Sequence, residues 1–261
     1  MGQHLGQHFL TDKTILKKIA DATTDAAVIE IGPGHGELTE FLLAKNSARF
    51  LTAIERDPHL AEWFRKRFVQ TRFPNVTLVE GDVRKELSLL LANARHTAPP
   101  VVVGNIPYYL SGFLFRLLEE SEMKPARAVF TVQKEVAERA SAQPPHMTLL
   151  SASLQVWATP SVLFDIPAEA FSPPPKVRSA VLMLVPHAPG PTPQDLISVF
   201  RVIRSLFRQP RKKAISNLLV AHPDKKNTFL DFFSSHSIPE NARPQEFSAE
   251  LIVLLARMLG Q

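Results

Sequence analysis

Residues able to do chemistry gather at the ends of four short apolar runs. Val28-Ile29-Glu30-Ile31 reads as a buried strand, and Gly32-Pro33-Gly34-His35-Gly36 crowds three glycines into the turn behind it. Glu37 to Leu43 continues at helical spacing. A strand, a glycine turn and a helix open a nucleotide-binding α/β sheet, where the backbone must come close to a ligand and a Cβ would clash. The dinucleotide pattern G-x-G-x-x-G is not met, because position 37 is Glu, and the Gly-Lys-Ser/Thr of a phosphate-binding loop is absent. An acid before the first glycine, with no cation beside it, suits a ligand lacking phosphates. S-adenosylmethionine, with a sulfonium and an amino group, is such a ligand. On the loop alone, methyltransferases and other α/β nucleotide binders both stay open.

The next three runs add polar groups at matching places. Residues 50–54 read as a second strand that ends at Glu55, about 20 residues beyond the glycine loop, where doubly wound sheets place an acid to accept both ribose hydroxyls. Residues 76–80 form a third strand ending in Gly81-Asp82. Asp82 has two readings of equal standing: acceptor for an adenine amine, or N-cap of a helix over 84–94. Val101-Val102-Val103-Gly104 is a fourth, buried strand running into Asn105-Ile106-Pro107-Tyr108-Tyr109. Ligands of open parallel sheets bind at the carboxyl ends of strands, so this run borders the same pocket as Gly32, Glu55 and Asp82.

The elements that must position these groups follow from the pattern. Asp12 caps a helix over 13–22, and Asp57-Pro58 starts another through Phe68. Residues 128–132 are a fifth strand. A helix over 133–140 ends before Pro144-Pro145, and another spans 146–158. Two further strands, 161–166 and 177–185, flank Phe171-Ser172-Pro173-Pro174-Pro175-Lys176, whose prolines stiffen the loop. The expectation is a Rossmann-like, doubly wound α/β sheet of seven strands over residues 1–187. His187 to Pro193 is a Pro/Gly linker. Residues 194–261 read as a small all-α domain.

The bulk numbers narrow the class. The chain has 261 residues, 45% of them hydrophobic, which is ample for a core. It has no cysteine, which excludes disulfides, thiolate metal sites and cysteine nucleophiles. No apolar run approaches the roughly 20 residues that span a bilayer, and residues 1–6 lack a signal-peptide core. The default is therefore a cytoplasmic, monomeric protein without a metal. Net charge is +5, and the tail carries it: Arg201, Arg204, Arg208, Arg211, Lys212 and Lys213 stand together with no acid among them. The four arginines recur at three- and four-residue spacing, so they are expected on one helix face up to Pro210, with Val202, Ile203, Leu206 and Phe207 packing behind. Phosphate backbone is the natural partner of such a run.

Taken in order, Gly6-Gln7-His8-Phe9-Leu10, Glu30-Ile31-Gly32-Pro33-Gly34, Ile54-Glu55, Gly81-Asp82, Asn105-Ile106-Pro107-Tyr108 and Phe171-Ser172-Pro173-Pro174-Pro175-Lys176-Val177 resemble the rRNA adenine N6,N6-dimethyltransferases. The start with Gly and the basic tail are similar to the small-subunit (KsgA) type rather than the Erm type. The resemblance implies S-adenosylmethionine as cofactor, held by His8, Leu10, Gly32, Gly34, Glu55, Asp82, Val83 and Asn105. It implies small-subunit (16S) rRNA as substrate and partner, with Asn105, Pro107, Tyr108 and Phe171 acting on the target adenine and the basic tail holding RNA. Three places depart from the family: Gly2-Gln3-His4-Leu5 echoes the first motif, of which the second copy is taken, Pro144-Pro145-His146-Met147 stands where Tyr-Gly is usual, and Pro210-Arg211-Lys212 where Arg-Arg-Lys is usual.

Chemistry supports that assignment of roles. An adenine N6 is a poor nucleophile because its lone pair is delocalised into the ring. The Asn105 side-chain oxygen and a backbone carbonyl at Ile106 or Pro107 can each accept one N6–H and turn the lone pair out of the ring plane. Tyr108 can stack on a base flipped out of its helix.

Overall fold

Val28, Ile29 and Ile31 are stiff β-branched residues, and all four residues of Val28–Ile31 are buried. They form an interior strand of the sheet, next to its central one. The computed structural model describes residues 8–23, 27–45, 50–70, 73–94 and 98–260. Gly6 and Gln7 of the first motif lie outside the described residues.

In chain order the first unit holds β1 (Phe9–Leu10), α1 (Lys13–Asp21), β2 (Val28–Ile31), α2 (Glu37–Lys45), β3 (Leu51–Glu55), α3 (Pro58–Phe64), β4 (Val76–Glu80), α4 (Val83–Asn93), β5 (Val101–Asn105), α5 (Ser111–Glu120) and β6 (Arg127–Gln133). After α6 (Lys134–Ser141) and α7 (Leu149–Gln155) come β7 (Ala158–Ile166), β8 (Phe171–Ser172) and β9 (Ser179–Pro186). The seven-stranded sheet has the order β4-β3-β2-β5-β6-β9-β7. β2 pairs in parallel with β3 and β5, β3 with β4, and β5 with β6, while β9 runs antiparallel to β6. The chain leaves β2 on one side through β3 and β4, then crosses to the other through β5. That reversal opens a crevice beyond the carboxyl ends of β2 and β5. Outside the sheet, β1 pairs antiparallel with β8, Leu10 opposite Phe171.

Local signals work as expected at the helix starts. The Asp12 carboxylate accepts from the amides of Thr14 and Ile15, and that of Asp57 from His59 and Leu60. The helix expected through Phe68 is shorter. α3 stops at Phe64 and the chain widens into a π-type turn over Arg65–Val69, which carries Phe68 inward against Phe64 with ring centroids 4.7 Å apart. A Cβ on Gly36 would stand 2.3 Å from the Phe68 ring, so this glycine makes room for that ring.

The division of the chain differs from the expected one. Two compact units form: Met1–Ala137 with Ser161–Pro186, and Glu138–Pro160 with His187–Gln261. Residues 138–160 therefore group with the tail helices. Within this second unit, α7 packs on α8 (Pro193–Leu206), and the Met147 amide donates to the Gln245 carbonyl at 3.0 Å. Met147, inside the loop that departs from the family pattern, is buried there. The unit continues through α9 (Ala214–Ala221), α10 (Lys226–Ser235) and α11 (Ala249–Gly260). Among the described residues no helix is long and apolar enough to cross a membrane.

Candidate active site

A cavity of about 290 Å³ lies at the carboxyl ends of the central strands. The structure brings together around it every residue expected from sequence to meet a cofactor or a target base: His8, Leu10, Gly32, Gly34, Glu55, Asp82, Val83, Asn105, Pro107, Tyr108 and Phe171. Each owes its place to a strand end. Gly32 follows β2 at φ +63°, and a Cβ there would meet no protein atom within 4 Å. The backbone of the loop thus faces open cavity, and any side chain at this position would intrude on it.

Glu55 ends β3 and is buried. Its Oε1 accepts from the amides of Arg56 at 2.8 Å and Asp57 at 2.9 Å, and its Oε2 from Gly34 at 3.4 Å. Burial raises its pKa, and those amides work against the rise. Oε2 is the freer acceptor, so the two oxygens are not equivalent towards a diol. Of the two sequence readings of Asp82, the structure shows the N-cap. It caps α4, accepting from the Arg84 amide at 3.0 Å, and it lines the cavity. Arg84 also clasps it through Nε at 2.9 Å and through Nη2, and Arg56 approaches to 3.7 Å. Those hydrogen bonds hold its pKa down at about 2, so it acts only as an acceptor near neutral pH.

The roof is made by segments far apart in sequence. β1 and β8 are sewn together, and the Thr11 amide adds a bond to the Ala170 carbonyl at 2.9 Å. His8 Nδ1 bonds the Pro173 carbonyl at 2.7 Å, which ties the first motif to the proline loop. Asn105, the last residue of β5, donates from Nδ2 to the His8 carbonyl at 2.9 Å. Its amide nitrogen is thereby fixed, and Oδ1 is left as the acceptor. Tyr108 stands in a tight turn over Tyr108–Leu110, its ring stacked on His8 with centroids 6.3 Å apart. Its hydroxyl bonds Ser179 Oγ at 2.6 Å, and burial raises its pKa, so the phenol stays neutral. Phe171 is 3% exposed, enough to touch the cavity and too little to move freely.

Sequence reasoning missed Ser179, which starts β9 and is fully buried. Only the antiparallel register of β9 on β6 brings it to Tyr108, and no local pattern signals that. It also gave no role to Phe9, whose ring packs over Gly34, or to Arg56.

The basic residues do not share one helix face. α8 ends at Leu206, with Phe207 capping it, four residues before Pro210. Arg201 and Arg204 lie on α8, whereas Arg208, Arg211 and Lys212 occupy the following turn and Lys213 precedes α9. All six are exposed, and Val202, Ile203, Leu206 and Phe207 are buried.

The family model described as ribosomal RNA adenine dimethylase matches residues 2–261. The chain belongs to that family. Among curated relatives, the ribosomal RNA small subunit methyltransferase A of Acidobacterium capsulatum is 37% identical over 268 residues, covering 99% of this chain and 92% of its own. That of Parasynechococcus marenigrum is 36% identical over 274 residues, covering 99% and 87%. Two solved structures share the fold: the 23S rRNA methyltransferase ErmE (TM-score 0.75, 22% identity, 97% of this chain and 100% of that one) and a dimethyladenosine transferase from Plasmodium falciparum (TM-score 0.76, 23% identity, 97% and 98%).

The cavity of this rRNA adenine dimethylase suits S-adenosylmethionine. Glu37, Glu55, Asp57 and Asp82 line it against a single guanidinium, Arg56, while the buried Glu30 on the same wall keeps its proton. That balance favours a ligand carrying a sulfonium and an ammonium over one carrying phosphates. The glycine loop supplies close backbone approach, and Leu10, Ile54, Val83 and Phe171 supply apolar wall.

Proposed function

We propose that this rRNA adenine dimethylase places two methyl groups on N6 of adenosines in small-subunit (16S) rRNA during subunit biogenesis, with Asn105 and Tyr108 as the residues that present the base. The observation that carries the assignment is the anchoring of Asn105: its Nδ2 is committed to the His8 carbonyl at 2.9 Å, which leaves Oδ1 to accept from an incoming amine.

S-adenosylmethionine supplies, when bound, an electrophilic methyl group. The protein's part is positioning. Gly32 and Gly34 meet the methionine portion, Glu55 Oε2 accepts from ribose, and Asp82 and Val83 meet the adenine, with His8 and Leu10 closing the pocket. Asn105 Oδ1 accepts one N6–H of the target base, and the backbone carbonyl at Ile106 or Pro107 accepts the other. Both bonds favour a pyramidal nitrogen whose lone pair points away from the ring. Tyr108, tied to Ser179, and Phe171 clamp the base from its two sides. No base is needed before transfer, because the amine becomes strongly acidic only as the N–CH3 bond forms and the S–CH3 bond breaks, and the proton it then sheds passes to water. Most of the acceleration then comes from orientation. One N6–H remains after the first transfer, so the same site serves the second.

The exposed cations of the second unit bind the RNA backbone. The enzyme acts as a single copy where ribosomes are assembled in the cytoplasm. The test is transfer of labelled methyl to undermethylated small subunits, with large-subunit RNA and DNA alongside, followed by mass mapping. Dimethyladenosine in small-subunit RNA is expected. Label in large-subunit RNA alone would refute the assignment.

A further inference from the structure

A second groove, of about 330 Å³, lies between α4 and α5 and carries Arg84, Ser88, Phe113, Arg116, Leu117 and Met123 on its walls. We propose that it seats a nucleotide adjoining the target adenosine in the RNA strand. The proposal rests on the rRNA reading above and extends it from the reacting base to its neighbour.

The groove begins where the catalytic cavity ends. Arg84 follows Asp82 and Val83 of the cavity wall, yet its own side chain lines the groove. Tyr109 follows Tyr108, lines the cavity rim and is 60% exposed. Tyr109 also lies close enough to Arg84 to raise that residue's pKa, after the larger effect of Asp82. From this turn the chain enters α5, whose inner face, Leu114, Phe115, Leu117 and Leu118, is buried.

The outer face of α5 is not an ordinary solvated one. Gly112, Phe113 and Arg116 are exposed, so a continuous stripe runs from Tyr109 down the helix. Phe113 is 39% exposed, and a Cβ at Gly112 would meet nothing within 4 Å. An aromatic pair leading out of a base-binding cavity, flanked by the unpaired guanidinium of Arg116 while Arg84 is held by Asp82, has the composition of a single-strand nucleic-acid track. Rings stack on bases of any sequence, and arginines meet phosphates. Arg116 has no ion pair or hydrogen bond among the described residues, so its charge is available. Glu120 and Glu122 line the other part of the groove. They repel phosphate and accept from exocyclic amines, which confines the backbone to the Arg116 side and sends the base edge to the carboxylates. A lipid or an apolar peptide would gain nothing from that alternation of charge.

The decisive experiment puts a benzophenone side chain at position 113 of the full-length enzyme. It is irradiated on undermethylated small subunits with cofactor present, and the crosslink is mapped. A crosslink to a nucleotide adjoining the methylated adenosine is expected. Crosslinks confined to ribosomal protein or to distant RNA would overturn the proposal. In parallel, the double variant Phe113→Ser, Arg116→Ala is expected to raise KM for small subunits about tenfold, with cofactor affinity and Tm unchanged. An unchanged KM in a folded double variant also overturns it. The unaltered enzyme is assayed beside it. If it transfers methyl to small subunits while the variant matches it, the groove assignment alone fails. If it transfers none, the rRNA reading fails and the groove proposal with it.

Discussion

The two units of this enzyme use charge in opposite ways. In the first, several surface cations are neutralised on the spot, although among the described residues Arg116 is not: Arg84 by Asp82, Arg65 by Glu62 and Glu80, Arg67 by Glu40, and Lys134 by Asp165. In the second, Arg201, Arg204, Arg208, Arg211, Lys212 and Lys213 stand exposed with no ion pair among the described residues. The first arrangement buys geometry. A carboxylate clasped by a guanidinium stays ionised and in place, and the groups that matter around the cavity have named partners. The second arrangement yields field strength without fixed geometry, which suits a polyanion whose phosphates are everywhere alike. A buried, jointed site should fail at one residue, and an exposed, unpaired one only in aggregate.

The hardest test of the first half of that contrast is Asn105→Ala. Loss of the Oδ1 acceptor leaves the amine planar and misaimed, and kcat is expected to fall about a hundredfold or more. KM for small subunits should move little, because the base is still stacked and the tail still binds. Single-turnover transfer on undermethylated subunits reads kcat directly. Near-normal turnover would show that Asn105 is not the presenting residue.

The next effect concerns a buried acid. Glu30 sits in β2, 1% exposed, and accepts from Thr39 Oγ1 at 2.7 Å. Burial pushes its pKa up to about 8, Glu37 and Glu55 add to the rise, and Thr39 opposes it. The native state therefore keeps a proton that the unfolded chain releases above the ordinary value of 4.5. Stability from this group is full below that value and is lost as pH rises towards about 8, at no more than about 1.4 kcal/mol per pH unit. Glu55, also raised, adds in the same direction. In Glu30→Gln the slope of Tm against pH across this window should flatten relative to the parent. Parallel curves would mean that Glu30 is ionised throughout.

The contrast also explains what could be read from the sequence. The glycine turn, the acids ending β3 and preceding α4, and the Asn105 run are legible because each is local: a strand end dictates where the next side chain goes. The tail was legible as charge but not as shape. Spacing placed Arg208 and Arg211 on a helix, yet α8 ends at Leu206 and the chain turns there, with the Lys212 amide donating to the Gln209 carbonyl at 2.9 Å. Pro210 marks a break without saying how far upstream it begins. Contacts set by register, such as Tyr108 with Ser179, and the assignment of residues 138–160 to the second unit are not local at all. They depend on which segments come together, and no single-sequence pattern encodes that.

For the tail, neutralising all six cations should weaken RNA binding strongly and flatten its salt dependence. Each lost phosphate contact to a single strand removes about 0.7 from the slope of log affinity against log salt. Methyl transfer at saturating RNA should keep its rate, since none of the six lines the cavity. Equal salt slopes for the parent and the six-fold variant would remove the tail from RNA binding.

The smallest expected effect is the most discriminating. Arg204→Ala on α8 and Arg211→Ala in the turn each remove one exposed, unpaired charge, one from a rigid helix and one from a loop. If the tail works as a field, both should weaken binding alike, by only a few-fold, and each should lower the salt slope by about 1 or less. The rigid and the loop position would then be interchangeable, which no residue of the cavity is. If one of them alone abolishes binding, that arginine makes a fixed contact, and the tail is a shaped site like the cavity. Titrations of the two variants against small-subunit RNA at several salt concentrations separate the cases: a shaped contact lowers affinity at every salt concentration, whereas a field effect fades as screening grows.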